Sequence, residues 1–304
     1  MRARSLFALV VMTGSTPALA EEVAASTTAA PSPAPVMVGH GDGFASPNGQ
    51  YGAGLSISRE QGMRAYGELG VFSYNLFGPV DVWDFSAIVG GGYKIKQDIE
   101  LEAMLPLGFF HAGGGDVDET GAAVGNLHIG ASYVGAKGPL RFKVGGALEW
   151  APWTIDPSQN FGLALAFSSL ARSIHDAGLW APETLSIVAP AHLEAGDQAV
   201  GTGDAALGLH IPTDGGDVEV SIQADPGFGY YASENVLIGA RLPFIWLITE
   251  GGDNAQVAIE PYGRLDFGSA FANARFTLNL DEPLGFGFDE GRIWAIHIGG
   301  GAAF

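Results

Sequence analysis

Apolar residues occupy every second position in a series of long segments that runs through most of this chain. In segment 139–151, the apolar positions are Leu140, Phe142, Val144, Leu148 and Trp150, and the positions between them include Arg141, Lys143 and Glu149. Because successive side chains of a strand point to opposite faces, each segment is a predicted β-strand with one apolar and one polar face. Strands of about 5–6 residues are usual in soluble domains, whereas about 9–11 tilted residues cross a bilayer. The long segments therefore favour a transmembrane β-barrel with a polar lumen over a soluble sandwich.

The predicted fold is all-β: a transmembrane, antiparallel, up-and-down β-barrel of about 12 strands. An even number lets both chain ends lie on the periplasmic side, as in bacterial barrels. The predicted strands are 65–77, 82–95, 98–110, 121–134, 139–151, 184–193, 202–212, 217–229, 235–248, 255–267, 271–280 and 291–304. Barrels of 10 or 14 strands are alternatives, and the larger one would add 51–59 and 160–171.

An internal repeat argues against the 14-strand alternative. Residues 92–106 and 229–243 share a Gly-Tyr pair, a short turn, alternating apolar positions and a final Leu-Pro, at a separation of 137 residues. If both copies are the same hairpin, their turns belong on the same side of the membrane, and only the smaller count achieves this. Residues 156–175, within the predicted extracellular segment 152–183, are then predicted to be a loop with a short amphipathic helix, which has Phe161, Leu165 and Ile174 on one side. Such a loop can cap or constrict the pore.

The first twenty residues have the features of a secretory signal peptide. Arg2 and Arg4 precede a short apolar stretch, and Ala18-Leu19-Ala20 is an A-x-A cleavage site. We therefore expect residues 1–20 to be a signal peptide, residues 21–63 to form a flexible periplasmic segment rich in Pro, Ala and Gly, and residues 64–304 to form the barrel.

The composition excludes several functional classes. A formal net charge of −19 disfavours nucleic-acid binding because phosphate would repel the chain. The absence of cysteine excludes disulfides, thiolate metal sites and cysteine nucleophiles. The seven histidines are scattered, and neither G-x-S-x-G nor H-E-x-x-H occurs. We therefore expect no cofactor, no bound metal and no catalytic residues.

The inward faces of the predicted strands carry charges of both signs. The predicted lumen constriction consists of Lys94, Glu100, Glu102, Arg141, Lys143, Arg241, Glu260, Arg264 and Arg275. These charges either screen solutes by charge and size or pair with one another and fill a narrow barrel, because an unpaired buried charge is costly. Both interpretations stay open, since water can pass through a paired network.

The last predicted strand alternates down to a terminal phenylalanine. Its outward positions are Trp294, Ile296, Ile298, Gly300, Ala302 and Phe304. Outer-membrane barrels characteristically end in such a strand, which the barrel-insertion machinery recognises. Phe304 is therefore the predicted insertion signal, and the predicted partners are this machinery and the outer-membrane lipid.

Two stretches carry a resemblance to a known family. In 93–106, a strand that ends with tyrosine leads through a tight turn into an alternating strand that ends in Leu-Pro. In 121–133, Gly125-Asn126-Leu127 stands where the family usually has Gly-Asp-Leu, and Gly203-Asp204 is a second copy of the Gly-Asp step. These stretches resemble the outer-membrane family of the MetA pathway of phenol degradation, also called SphA-like transporters. The resemblance implies a channel for small molecules, aromatic or apolar ones included, and no catalytic residues.

Together these features predict a porin-like channel in the outer membrane of a Gram-negative type of cell, for passive uptake or efflux of small solutes and without enzyme activity. One alternative is a barrel without a pore that has a structural or adhesive role. A further alternative is a barrel lipid hydrolase, but the predicted faces place no Ser-His pair outward at one depth.

Overall fold

The computed structural model describes residues 62–75, 80–96, 98–151, 161–172, 176–213, 215–248, 255–280 and 293–304. The predicted signal peptide, most of the predicted periplasmic segment and the alternative strand 51–59 lie outside these residues. The strands are β1 (Met63–Asn75), β2 (Asp81–Lys96), β3 (Ile99–Gly114), β4 (Val117–Val124), β5 (Leu127–Lys137), β6 (Leu140–Trp150), β7 (Thr184–Gly196), β8 (Ala199–Pro212), β9 (Glu219–Ser233), β10 (Val236–Arg241), β11 (Phe244–Ile248), β12 (Ala255–Asp266), β13 (Ala270–Asn279) and β14 (Trp294–Ala303). Two helices, α1 (Phe161–Leu170) and α2 (Ala177–Trp180), lie between β6 and β7.

The strands form one antiparallel sheet that closes on itself. β1 pairs with β14, and β13 joins β14 to β12. Two barrel strands are interrupted: β4 and β5 both pair with β3, and β10 and β11 both lie between β9 and β12. The second interruption falls at Leu242-Pro243, where proline has no N–H to donate to the ladder. The predicted 12-strand barrel is thus confirmed.

The 14-strand alternative needs a strand at 160–171 and fails because Phe161–Leu170 forms helix α1. The alternating apolar pattern of this segment fits a strand, but its alanines and leucines are also strong helix formers. Its buried positions are Ala164, Leu165, Phe167, Ser168 and Ala171, which follow helical spacing. Neither helix of the described residues is long and apolar enough to cross a membrane.

Side chains alternate between the outside of the barrel and its lumen, as predicted. On β2, Trp83 and Phe85 are exposed, whereas Asp84 and Ser86 are buried. Similar exposed apolar residues on other strands include Leu69, Leu101, Ile129, Leu148, Leu193, Leu207, Ile238, Leu265 and Ile298. These side chains form the apolar outer band that lipid hydrocarbon covers in a transmembrane barrel.

Short turns join the strands at the rim that holds both ends of the barrel. The connection between β7 and β8 is shorter than predicted: it consists of residues 197–198, because both strands extend beyond their predicted ends. Gly196 helps the chain to reverse here, with a φ of 116° that side chains disfavour. The β2–β3 and β9–β10 turns of the repeat lie on this same rim, as predicted. By the rule for bacterial barrels this is the periplasmic rim, and the opposite rim is extracellular.

Candidate functional site: the lumen and its plug

The connection between β6 and β7 enters the barrel. Its described part comprises α1, Ala171, Arg172, Asp176 and α2, which together we call the plug. Helix α1 packs against β2, β3 and β4, and α2 packs against β6 and β7. The predicted helix is therefore present, and it lies against the inward faces of several strands.

Gly108 on β3 lets α1 approach the wall closely. A Cβ atom at this position would lie 2.5 Å from Ser168 Oγ and 3.0 Å from the carbonyl oxygen of Ala164. A side chain at 108 would therefore require the Ser168 hydroxyl to turn away and α1 to shift by a few tenths of an ångström. This close contact fixes where α1 sits along β3.

An apolar cluster joins the plug to one side of the wall. Its wall members are Tyr66, Phe72, Val82, Ile88, Met104, Phe110, Ala112, Ala123, Ile293 and Ala295, and its plug members are Ala164, Leu165, Phe167, Ala171, Leu179 and Trp180. The rings of Phe110 and Phe167 are 5.1 Å apart. Burial of this surface stabilises the inserted plug through the hydrophobic effect.

Polar contacts hold the C-terminal end of α1 to the wall. They are Ser168 Oγ to Asp84 Oδ1 at 3.1 Å, Arg172 to Glu68, and His297 Nε2 to the carbonyl oxygen of Ala171 at 3.2 Å. Asp84, Glu68 and Arg172 are all buried. Because a buried charge without a partner is costly, these contacts favour the inserted position of the plug.

Asn126 holds α2 from the point where β4 ends and β5 begins. Its Nδ2 donates to the carbonyl oxygens of Gly178 at 2.7 Å and Ala181 at 2.8 Å, and lies 3.3 Å from that of Thr184. Its backbone N–H donates to the carbonyl oxygen of Leu179 at 2.7 Å. The interruption in this barrel strand is therefore filled by the backbone of the plug.

Asp176 lies in the plug and outside the strands. Burial raises the pKa of its carboxyl to about 7, and the nearby Glu149 contributes to this rise, whereas Arg172, Arg275 and Arg241 oppose it. The closest of these cations is Arg172, whose Nη1 is 3.7 Å from Asp176 Oδ2. The plug therefore carries a carboxyl that changes its charge near neutral pH.

The predicted constriction residues Glu100, Glu102 and Lys143 meet in one buried ion cluster. Lys143 Nζ lies 2.6 Å from Glu102 Oε2 and 3.3 Å from Glu100 Oε1. Arg64 pairs with Glu100 and lies 3.0 Å from Glu102. These charges neutralise one another, as the pairing interpretation predicts.

A second ion cluster in the lumen contains three more of the predicted constriction residues: Arg241, Glu260 and Arg275. Arg241 Nε lies 2.5 Å from Glu260 Oε2, and its Nη1 is 3.4 Å from Asp225 Oδ2. Arg275 Nη2 is 2.7 Å from Glu68 Oε1, the carboxylate that also binds the plug. A cavity of about 10 Å³ lies between this cluster and the charged residues of the plug, which is about the space of one water molecule.

The other three predicted constriction residues lie nearer the periplasmic rim. Lys94 is partly buried near the end of β2. Arg141 Nη1 is 3.4 Å from Glu194 Oε1, and Arg264 Nε donates to Asp266 Oδ1 at 2.8 Å. The single predicted constriction is thus two ion clusters and a set of rim charges.

Phe304 closes the barrel next to the first strand. Its backbone N–H donates to the carbonyl oxygen of Met63 at 2.8 Å, and its own carbonyl accepts from Gly62 and Met63. Its side chain is 67% exposed on the outside. The ring is therefore available for recognition and does not pack in the lumen.

A Ser-His-Ser group lies near the extracellular end of the lumen. His210 Nδ1 is 2.8 Å from Ser186 Oγ, and its Nε2 is 2.8 Å from Ser221 Oγ. All three side chains are buried and face inward, not toward lipid. Across the described ranges, no His, Asp and Glu side chains gather into a group that could hold a metal ion.

Four residues that hold the plug or belong to the ion clusters are not among the predicted site residues: Arg64, Glu68, Asn126 and Arg172. Arg64 precedes the predicted start of the first strand, so its side chain had no assigned face. Glu68 shares the inward face of β1 with Phe72, which blurred the alternation that identifies strands. That mixture of charge and aromatic ring on one face was itself a signal of a contact inside the lumen.

The barrel is similar to an outer membrane channel from Pseudomonas putida F1, with a TM-score of 0.55 and 10% identity over 84% of this chain and 99% of that one. The translocator domain of autotransporter NalP from Neisseria meningitidis has a TM-score of 0.42 and 10% identity, covering 80% of this chain and 88% of that one. The β domain of the Bordetella autotransporter BrkA has the same TM-score and 15% identity, covering 81% and 100%. No family model and no curated protein matches the sequence. The first similarity shows that the chain has the fold of an outer-membrane β-barrel, while the MetA-pathway family stays a prediction.

Proposed function

We propose that the protein is an outer-membrane channel for small solutes and that the plug closes its lumen. The observation that carries this proposal is that the obstruction is a loop segment and not part of the wall. The barrel strands pair with one another around the whole circle without it. Withdrawal of the plug would leave an inner wall with many charged and polar groups, which water can solvate.

Transport through such a lumen would be passive, so a concentration gradient sets uptake or efflux. Aromatic and apolar solutes belong to the proposed cargo, because the inward residues of β1 to β3 beneath the plug include Phe72, Ile88, Met104 and Phe110. The proposal includes location in the outer membrane, insertion through recognition of Phe304 and the absence of catalysis.

A disulfide that holds the plug in place tests the proposal. The natural chain has no cysteine, so the double variant Gly108→Cys/Ser168→Cys can form only one intramolecular bridge. The short distance between a Cβ at 108 and the side chain of 168 puts these positions within bridging reach. We expect the oxidised variant to conduct little in planar bilayers and the reductant to restore current. The single-cysteine variants control for the substitutions, and heat-modifiable migration reports folding.

The packed lumen also favours a second candidate, a barrel without a pore that has a structural or adhesive role. This candidate predicts no current from wild-type, oxidised or reduced protein. Equal currents in the oxidised and reduced states would instead show a channel in which the plug is not the gate. Lipid hydrolysis that disappears in Ser186→Ala would contradict the proposed absence of catalysis.

A further inference from the structure

We infer that the wall beneath the plug contains a binding site for an organic cation with an apolar body, centred on Asp84 between Phe72 and Phe110. This inference rests on the proposed function, because a solute reaches Asp84 only when the plug withdraws. It adds a ligand class and a recognition residue to the channel.

The barrel register places a carboxylate between two aromatic rings. Asp84 on β2 is directly opposite Phe72 on β1 and directly opposite Phe110 on β3. Opposite residues on neighbouring strands have Cβ atoms about 4.5–5.5 Å apart, close enough for their side chains to contact one ligand. All three side chains are buried on the inward face and lie in the extracellular half of the lumen.

The plug occupies this place with groups that indicate what else would fit. Ser168 Oγ lies 3.1 and 3.4 Å from the two carboxylate oxygens of Asp84. The Phe167 ring packs on Phe110 with 5.1 Å between the ring centroids. Further into the lumen, the Arg172 guanidinium pairs with Glu68. The plug thus presents a hydroxyl to Asp84, an aromatic ring to Phe110 and, further into the lumen, a cation to Glu68.

The chemistry of the wall favours a cation over a neutral solute. When a solute replaces Ser168 and excludes water, the Asp84 carboxylate lies among Phe72, Phe110 and other apolar side chains, where a charge without a counter-charge is costly. An ammonium group neutralises this carboxylate, and aromatic faces attract it through cation–π interactions. A neutral alcohol of the same shape can donate one hydrogen bond to the carboxylate, as Ser168 does, but supplies no positive charge to balance it. An anion is repelled.

Three aromatic probes of similar size separate these possibilities: benzyltrimethylammonium, benzyl alcohol and benzenesulfonate. Their affinities for the full-length protein in detergent can be measured by calorimetry, which does not depend on current. We expect the cation to bind at least about tenfold more tightly than the alcohol, and the sulfonate to bind least. In Asp84→Asn, the affinities for cation and alcohol should become similar. Asp118→Asn, at an exposed position near the extracellular rim, should keep the wild-type preference.

A substitution in the plug gives an independent test with the opposite sign. Ser168→Ala removes the hydroxyl that occupies Asp84 and leaves the wall unchanged, so cation affinity should rise about threefold. If Asp84→Asn fails to fold, the cation affinity of Ser168→Ala tests the inference instead. Equal binding of cation and alcohol by the wild type, or an unchanged preference in Asp84→Asn, would overturn the inference. Cation binding without conductance would contradict the channel alone, and conductance without a cation preference would contradict this site alone.

Discussion

Replacement of Arg172 by glutamine should release the plug while leaving the barrel wall intact. Arg172 lies in the plug, and its guanidinium pairs with Glu68 of β1 with both side chains about 4% exposed. Glu68 keeps a second partner, since Arg275 Nη2 lies 2.7 Å away. The carboxylate is therefore not left unpaired, and the loss should fall at or below the low end of the 3–5 kcal/mol typical for breaking a buried pair. A cost of about 2–3 kcal/mol shifts the ratio of closed to open plug about 30- to 150-fold.

Single-channel recording measures this shift directly as open probability. Arg141→Gln is the matched control, because Arg141 is also paired with a glutamate but lies near the periplasmic rim, away from the plug. We expect Arg172→Gln to increase open time and Arg141→Gln to leave it unchanged. If Arg172→Gln folds normally and its open probability equals that of the wild type, the ion pair does not hold the plug and the reasoning fails.

Three further predictions concern the plug and the end of the chain. Asn126→Asp keeps the shape of the side chain, but a carboxylate cannot donate to the carbonyls of Gly178 and Ala181. Limited proteolysis of the plug should therefore accelerate about tenfold or more. As a control, Asn235→Asp, in an exposed turn, should not change the rate of proteolysis. Because insertion raises the pKa of Asp176 from 3.8 to about 7, the inserted plug binds the proton more tightly than the withdrawn one. The contribution of Asp176 to the stability of the inserted plug is greatest below about pH 4 and is lost as pH rises to about 7. Open probability should therefore rise over this range, and Asp176→Asn should reduce this dependence on pH. Phe304→Ala keeps the backbone pairing with Met63, so refolding in detergent should be unchanged. The amount of this variant in the outer membrane of cells should fall. Normal insertion in cells would contradict the role of the ring as a signal.

The barrel could be predicted because lipid favours apolar residues on the outside of each strand, whereas the lumen favours polar residues at the positions between them. Where the lumen wall meets water or charge, the alternation is clean, as in β6, where Val144 and Leu148 face outward and Lys143 and Glu149 face inward. Strand parity then assigned the inward side of the predicted constriction residues. Which of these charges pair with each other depends on the register of the strands. Arg241 and Glu260, for example, lie opposite each other on β10 and β12 although they are 19 positions apart in the sequence.

The position of the plug could not be predicted, because its sequence fits several environments. The residues of α1 alternate like a strand and include good helix formers, and nothing in that pattern distinguishes a loop above the barrel from a helix inside it. The decisive contacts come from distant residues: Ser168 meets Asp84, and Arg172 meets Glu68. Each of these contacts joins residues more than 80 positions apart, so local sequence patterns do not predict them.

The departures from alternation nevertheless contain information about what fills the lumen. An inward position on a barrel strand is polar when water or another charge covers it, so an apolar residue there needs an apolar cover. Phe72 on β1 and Ile88 on β2 break the polar pattern, and both pack into the cluster that contains the plug. In contrast, many inward positions of β8 and β9 are polar, among them Asp204, His210, Ser221 and Gln223, and helix α1 packs on β2, β3 and β4 instead. An apolar sector on the inner face of a predicted barrel therefore indicates an inserted segment or an apolar ligand. Here the inserted segment also presents a polar group, the Ser168 hydroxyl, to the Asp84 carboxylate within that sector.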